Sequence, residues 1–387
     1  MTPTVKLYDA KSVHQLQWPE TKMARQLKGY WLALMQAGAE TYISNVRTRL
    51  YALQVDDRVL PVTVNDAEYE NSYVCSFYAH YITYAIYELA CLEMPIVEKL
   101  LAALLWGIGH VLKWVKINKA VIVNNWLLST NLYPELTDTQ VRAITQYLVK
   151  AFPEHAIAFR SINAFTTSKL MAALQQQGYR MVGSRQVYLY DPNNRQLPQK
   201  RAARARKNIS RDLSRLQASG YELISFTHLS GTDAAKMAAL YGALYLQRYC
   251  DNNPQFNGRF MALAQRCRFL EVMALQKDGQ IDGVVGFYEL NGIMTAPVLG
   301  YDTNLPKDLG LYRMLSSSLV RVATQRHLIS HKSSGVANFK RNRGFTGWIE
   351  YSAIFDRHLP IHRRSGWWLL KTVVDHVAIP LMKKCGL

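Results

Sequence analysis

Acidic residues are scarce in this chain of 387 residues: 28 Asp and Glu stand against 46 Lys and Arg, for a formal charge of +18 at pH 7. A surface this cationic concentrates anionic partners, among them nucleic acid, CoA phosphates, acidic carrier proteins and anionic membranes. Cysteine is sparse as well. The five (Cys75, Cys91, Cys250, Cys267 and Cys385) form no C-x-x-C pair and are odd in number. That argues against a disulfide framework or a thiolate zinc site and fits a reducing compartment. Long apolar runs are missing. The longest, residues 100–112, is broken by Gly107, Gly109 and His110 and reads as too short to span a bilayer. Residues 1–14 lack the apolar stretch of a secretory signal. The expectation is a cytoplasmic protein, with peripheral contact to a membrane left open.

Several catalytic signatures are also lacking. There is no phosphate-binding P-loop and no G-x-S-x-G elbow, and Gly107-Ile108-Gly109 lacks the third glycine of a dinucleotide fingerprint. His327 and His331 are four apart, as are His358 and His362. No metalloprotease Glu accompanies them, the first pair straddles an expected helix–strand junction, and Pro360 interrupts the second. No metal site is expected.

What is present is one order of elements, met twice. In the first half, residues 72–85 read as one or two strands, 96–116 as a helix and 119–128 as a buried strand. A helix over 137–151 has Thr137 as its cap. It is followed by a strand at 155–161, a helix over 167–177 that stops at Gly178, and a strand at 179–190. Residues 191–199 form a linker. Residues 200–216 form a basic helix whose only acid is Asp212.

The second half begins with a strand at 221–226 and helices over 233–248 and 259–267. Strands follow at 269–276, 283–290 and 293–301, the last two joined by the hairpin signal Asn291-Gly292. A helix over 311–325, a short strand at 328–331, a basic segment at 338–343 and a strand at 348–355 complete it. Residues 366–377 form an amphipathic helix. This helix and the one over 96–116 combine Trp and Leu with bordering Lys, which suits either an anionic lipid surface or the protein's own core.

The stretch 300–315 passes from strand through loop into helix, and so aims main-chain N–H groups and a helix dipole at one point where a pyrophosphate could sit. Three residues are candidate bases. His331 offers an imidazole at the mouth of a strand, Asp302 stands at a strand end, and Glu289 precedes the Asn291-Gly292 turn. Asp302 read as a turn cap and Glu289 as a solvated strand-edge residue are the competing roles.

The element order resembles the GNAT (acyl-CoA N-acyltransferase) superfamily. That family cradles the donor pyrophosphate in a loop of pattern Q/R-x-x-G-x-G/A. The matching stretch is Lys307-Asp308-Leu309-Gly310-Leu311-Tyr312, with Lys307 where Gln or Arg is usual and Tyr312 where a small residue is usual. The resemblance assigns Val298, Leu299, Gly300 and Asn338 to donor binding beside this loop. The stretch Asn338-Phe339-Lys340-Arg341-Asn342-Arg343-Gly344-Phe345 is similar to the family's later helix, with Lys340 where a tyrosine acid is common. Lys340 would offset developing negative charge there.

A fainter copy around Gly178-Tyr179 makes the whole similar to tandem FemAB-like aminoacyltransferases and related acetyltransferase domains. The resemblance implies an α+β protein of two tandem GNAT-like domains, each a mixed, mostly antiparallel sheet flanked by helices. Its divisions are 1–192 (degenerate), 193–218 (basic linker helix), 219–360 (catalytic) and 361–387 (amphipathic basic tail). It further implies direct transfer of an acyl group from acyl-CoA or acyl carrier protein to a small amine or lipid acceptor, with no permanently bound cofactor. The alternatives are a donor carried on tRNA, or a binding protein without catalysis.

Overall fold

The computed structural model describes residues 3–89, 94–194 and 197–385. Cys91, part of the linker and the last two residues lie outside them. The strands are β1 (Val5–Tyr8), β2 (Arg49–Val55), β3 (Arg58–Asn65), β4 (Ala120–Val123), β5 (Ala156–Asn163) and β6 (Arg180–Tyr190), then β7 (Glu222–Ser225), β8 (Glu271–Lys277), β9 (Gln280–Leu290), β10 (Ile293–Tyr301), β11 (Ile329–Lys332) and β12 (Thr346–Phe355). All join one 12-stranded sheet in the order β1-β2-β3-β4-β5-β12-β6-β11-β10-β9-β8-β7. β4 and β5 run parallel, as do β10 and β11, and every other neighbouring pair is antiparallel.

This order reads the same from either edge. Each half ends in a strand that leaves its own half: β6 pairs with β11 of the second, and β12 pairs with β5 of the first. The two exchanged strands pair with each other at the centre. The expected mixed sheet flanked by helices is therefore present, and its halves are continuous through an exchange of strands.

The helices are α1 (Lys22–Ala37), α2 (Tyr84–Leu89), α3 (Pro95–Trp114), α4 (Asp138–Ala151), α5 (Ser168–Gln176), α6 (Gln199–Ala218), α7 (Gly231–Gly242), α8 (Gly258–Arg266), α9 (Leu311–Gln325), α10 (Ala337–Arg341), α11 (Ile361–Val373) and α12 (Ile379–Cys385). In the first half, α4 and α5 bury their apolar sides on the sheet in one cluster, and α3 and α11 in another. In the second, α9 and the C-terminal end of α6 form one cluster, while α1, α7 and α8 join in a large aromatic core. Its centre is a stack of Tyr30 on Phe269 (ring centroids 4.5 Å apart) and Phe269 on Trp126 (5.1 Å).

Local signals set several boundaries. Thr137 and Gln140 form a reciprocal capping box at α4, satisfying end amides that the helix cannot. Gly178 follows α5 with φ +86°, a conformation costly for a residue with a Cβ.

The stretch 72–85 is not the strand its Tyr and Val content predicts. It runs through a turn into a wide helical turn over Ala79–Thr83 and then α2. Its rings pack inward at helical spacing, with Phe77, Tyr78, Tyr81 and Ile82 buried together, so tertiary burial overrides β propensity. The expected strand 119–128 ends at Val123, and the rest is a buried loop.

Candidate active site

β10 and β11 part company early. Their parallel pairing covers only Ile293–Ile329 to Thr295–His331, and β10 is bulged between Thr295 and Val298. Beyond that point β10 continues to Tyr301 paired with β9 alone, so the strands splay. The loop after β10 then leads to α9. Asn304, Pro306, Lys307 and Asp308 are exposed in it, whereas Gly310 and Leu311 are buried.

Gly310 has φ +74°, and a Cβ there would meet Cδ of Arg215 at 2.9 Å. Arg215 reaches across from α6 and donates to the Asp308 carbonyl. The first intrahelical bond runs from Met314 N–H to Gly310 C=O, so the amides of Leu311, Tyr312 and Arg313 precede it. No side chain caps this end and no acid lies in its first turn. Arg215 thus reaches the turn before α9, which Lys307 and Arg313 flank in sequence and which also carries Asp308.

At the apex of the splay lies a buried ionic cluster. Arg185 of β6 stands opposite Glu350 of β12 in the central pair, with Nε 2.8 Å from Oε1. Its other nitrogens donate to Ser333 Oγ (2.8 Å), Ser129 C=O (2.5 Å) and Thr130 Oγ1 (3.1 Å). Burial would raise the Glu350 carboxyl, but the Arg185 charge and the His331 contact hold it down to about 2. His331, 2% exposed, places Nε2 3.4 Å from Glu350 Oε2. That separation is long for a hydrogen bond, and both ring nitrogens and Oε2 have no hydrogen-bond partner among the described residues. Buried polar atoms left unpaired are costly, so His331 and Glu350 Oε2 stand out from the packed strands around them.

Residues 73–88 and the end of α7 pack close to this cluster. Tyr73 lies against His80 (5.7 Å between centroids) and Tyr84 (5.3 Å), and Arg160 sits over its ring at 5.9 Å. Burial, with the charges of Arg160 and Arg185, pushes His80 down to about 3. Glu88 is partly exposed, yet burial raises its carboxyl to about 7 even with Arg185 opposing. Tyr245 stacks on Tyr241 (5.0 Å), and Tyr301 and Tyr312 lie 6.3 Å apart.

Of the residues proposed from the sequence, His331 stands in this cluster and Lys307–Tyr312 form the loop and first turn beside the splay. Val298 and Leu299 are buried core residues, and Gly300 lies directly under α7, where a Cβ would meet Tyr241 N at 2.4 Å. Asn338 is exposed on α10. Lys340 is buried, its Nζ donating to the carbonyls of Ser333 and Ser334 (the latter 2.9 Å), and burial with the charges of Lys332 and Arg185 drives its pKa far down. It fastens the turn after β11. Asp302 accepts from Asn304 N–H (2.9 Å), the capping role weighed against catalysis. Glu289 pairs at the surface with Lys22 (3.2 Å) and Arg326 (3.4 Å), at the end of β10 remote from the start of α9.

Arg185, Glu350, Arg160, His80 and Glu88 were not singled out from the sequence. The available signal was a charge at an inward position of an otherwise apolar strand, as in Arg160 of AIAFRSIN and Glu350 of TGWIEYSAIF.

A second feature lies on the far side of the centre. Lys200, Arg201 and Arg204 of α6 meet Arg341, Asn342, Gln186, Thr346 and Gly347 around a groove of about 570 Å³ with no acidic residue in its lining.

No protein-family model and no curated sequence matches this chain. Similarity to solved structures is partial. The C-terminal domain of a putative lysylphosphatidylglycerol synthetase from Agrobacterium fabrum has 14% identity and TM-score 0.44, covering 66% of this chain and 82% of that one. FemX has 7% identity and TM-score 0.40, covering 57% and 78%. A GCN5-related N-acetyltransferase from Kribbella flavida has 10% identity and TM-score 0.32, covering 61% and 81%.

Proposed function

We propose that the chain transfers an acyl group from a phosphate-bearing carrier to an amine, in the splay between β10 and β11. The observation that carries this is the start of α9, with no side-chain cap, no acid in its first turn, and Arg215 reaching the turn before it. A helix start with added cations is electrostatically unfavourable until an anion joins it, and a diphosphate meets that need with both main-chain amides and guanidinium.

The acyl carbon then lies near His331. The imidazole takes the proton as the amine attacks, and Glu350, itself fixed by Arg185, stabilises the resulting imidazolium. Collapse breaks the bond from the acyl carbon to the carrier, and the departing thiolate or alkoxide takes the proton back from the imidazolium, which returns His331 to its neutral form. Holding amine and acyl group together supplies much of the rate.

CoA is the simplest carrier to test. It should raise the melting temperature of the wild-type protein and leave Gly310→Asp unmoved, since that variant puts a carboxylate at the anion position and a Cβ at φ +74°. Equal stabilisation of both proteins by CoA would remove the loop from the reading.

The groove at Lys200, Arg201, Arg204 and Arg341 favours a second form of the same chemistry, an aminoacyl group carried on tRNA. In that case RNA, not CoA, stabilises the protein, with affinity falling steeply as salt rises.

A further inference from the structure

Helix α3 presents apolar side chains to solvent along its length. Ile96, Leu100, Leu104, Val111 and Trp114 are exposed by 76%, 68%, 51%, 41% and 71%. With Gly107 they recur every three or four residues and so form one stripe. The inward side is fixed. Ile108 and Leu112 are buried in the core, and a Cβ on Gly109 would touch Tyr78 Oη at 3.1 Å.

Beside the apolar stripe runs a second exposed line, Lys99, Trp106, His110 and Lys113, with Lys116 just past the helix end. Glu98 is the only acid in the helix. Helix α11 lies alongside: Trp114 packs on His362 (5.9 Å), and a Cβ on Gly366 would clash with Val115 at 2.4 Å. It adds exposed Ile361 and Trp368 to the same flank, and Lys383 and Lys384 follow in α12.

By length and composition α3 could cross a membrane, contrary to the expectation for 100–112. Its C-terminal half, however, is part of the core, and the chain passes directly from it into β4 of the sheet. The helix therefore lies along the surface.

We propose that the α3–α11 face docks on an anionic lipid bilayer, with α3 in the plane of the interface. Two observations select lipid over a protein partner. The apolar stripe is bordered by cations with almost no acid, complementary to anionic headgroups. The exposed tryptophans sit beside lysine and histidine, the pairing of amphipathic ring and charge that suits the headgroup boundary. The 73–88 segment packs on α3 through Tyr78 and Ile82, and its Tyr73, His80 and Tyr84 pack on one another.

The test is flotation of the full chain with mixed phosphatidylglycerol–phosphatidylcholine vesicles, read together with tryptophan emission. Wild type should float at low salt with a blue-shifted emission. Leu100→Glu with Leu104→Glu, both outward-facing, should fold with unchanged circular dichroism and lose about a hundredfold in affinity. Lys99→Gln with Lys116→Gln should lose about tenfold. Absence of flotation at low salt overturns the proposal, as does equal binding to pure phosphatidylcholine. Lipid-free self-association abolished by the two glutamates would give the face to a second copy of the chain, and so overturns it as well.

Discussion

The two splays of this sheet share a topology and differ in what fills them. In the first half, β4 and β5 part after Val123 and Phe159, and the loop that follows β4 turns inward. Asn124, Asn125, Trp126, Leu127, Leu128, Thr130, Asn131, Leu132 and Tyr133 are all buried there. The asparagines knit the plug. Asn124 Nδ2 donates to Leu132 C=O (2.8 Å), Asn125 Nδ2 to Val74 C=O (2.9 Å), and Asn131 Oδ1 accepts from Trp126 N–H (3.1 Å). In the second half the equivalent loop keeps Asn304, Pro306, Lys307 and Asp308 exposed and leads into a helix start with no side-chain cap. One arrangement of strands thus serves as a packed core when its loop carries Trp and Asn, and as a candidate site when its loop carries Lys and Gly.

Breaking the plug should be the costliest change. Trp126→Ala removes a ring stacked on Phe269 and should destabilise by about 3–5 kcal/mol in chemical denaturation. Donor-induced stabilisation should survive in the protein that still folds. A lost donor response in folded protein would mean that the plugged half also holds the carrier.

His331→Gln tests the open splay. Turnover should fall by about 10²–10⁴-fold with donor affinity intact. A fall in affinity without a fall in turnover would make His331 a packing residue.

The Glu350 carboxyl connects the two splays, because Arg185 binds both it and the plug at Ser129 and Thr130. Its pKa is depressed to about 2 in the folded protein against about 4.3 unfolded. Its contribution is therefore complete above the unfolded value and lost as pH falls from there towards 2. Acid titration of Glu350→Gln should be flatter than wild type in that window. A parallel pair of curves would show the carboxylate to be uncoupled from folding.

Glu289→Gln should do least. Its ion pairs with Lys22 and Arg326 are at the surface, so stability should change by less than about 1 kcal/mol and turnover not at all.

What the sequence makes legible is whatever is enforced within a few residues. Thr137 and Gln140 mark a helix start, Gly178 a helix end, and Asn291-Gly292 a turn, because each acts on its own neighbours' main chain. The α9 limits, 311–325, follow from Gly310 and the apolar period after it. Pairings between distant strands leave no such mark. Nothing local in 346–355 says that it lies between β5 and β6, so Arg185 and Glu350 could not be brought together beforehand, and the dyad with His331 stayed half-seen. The Tyr-rich stretch 72–85 failed for the opposite reason: its composition favours strand, and only the depth of its burial decides for helix.

The strand exchange also bears on how the molecule is made. β5 has its own half's strands on one side only and waits for β12, synthesised last of all the strands, to cover the other. Until then a nascent chain carries an open main-chain edge at the middle of its future sheet, the kind of edge that recruits wrong partners. Closing the molecule is an event for the finished polypeptide, and a product that terminates before residue 346 is left with a permanent invitation to aggregate.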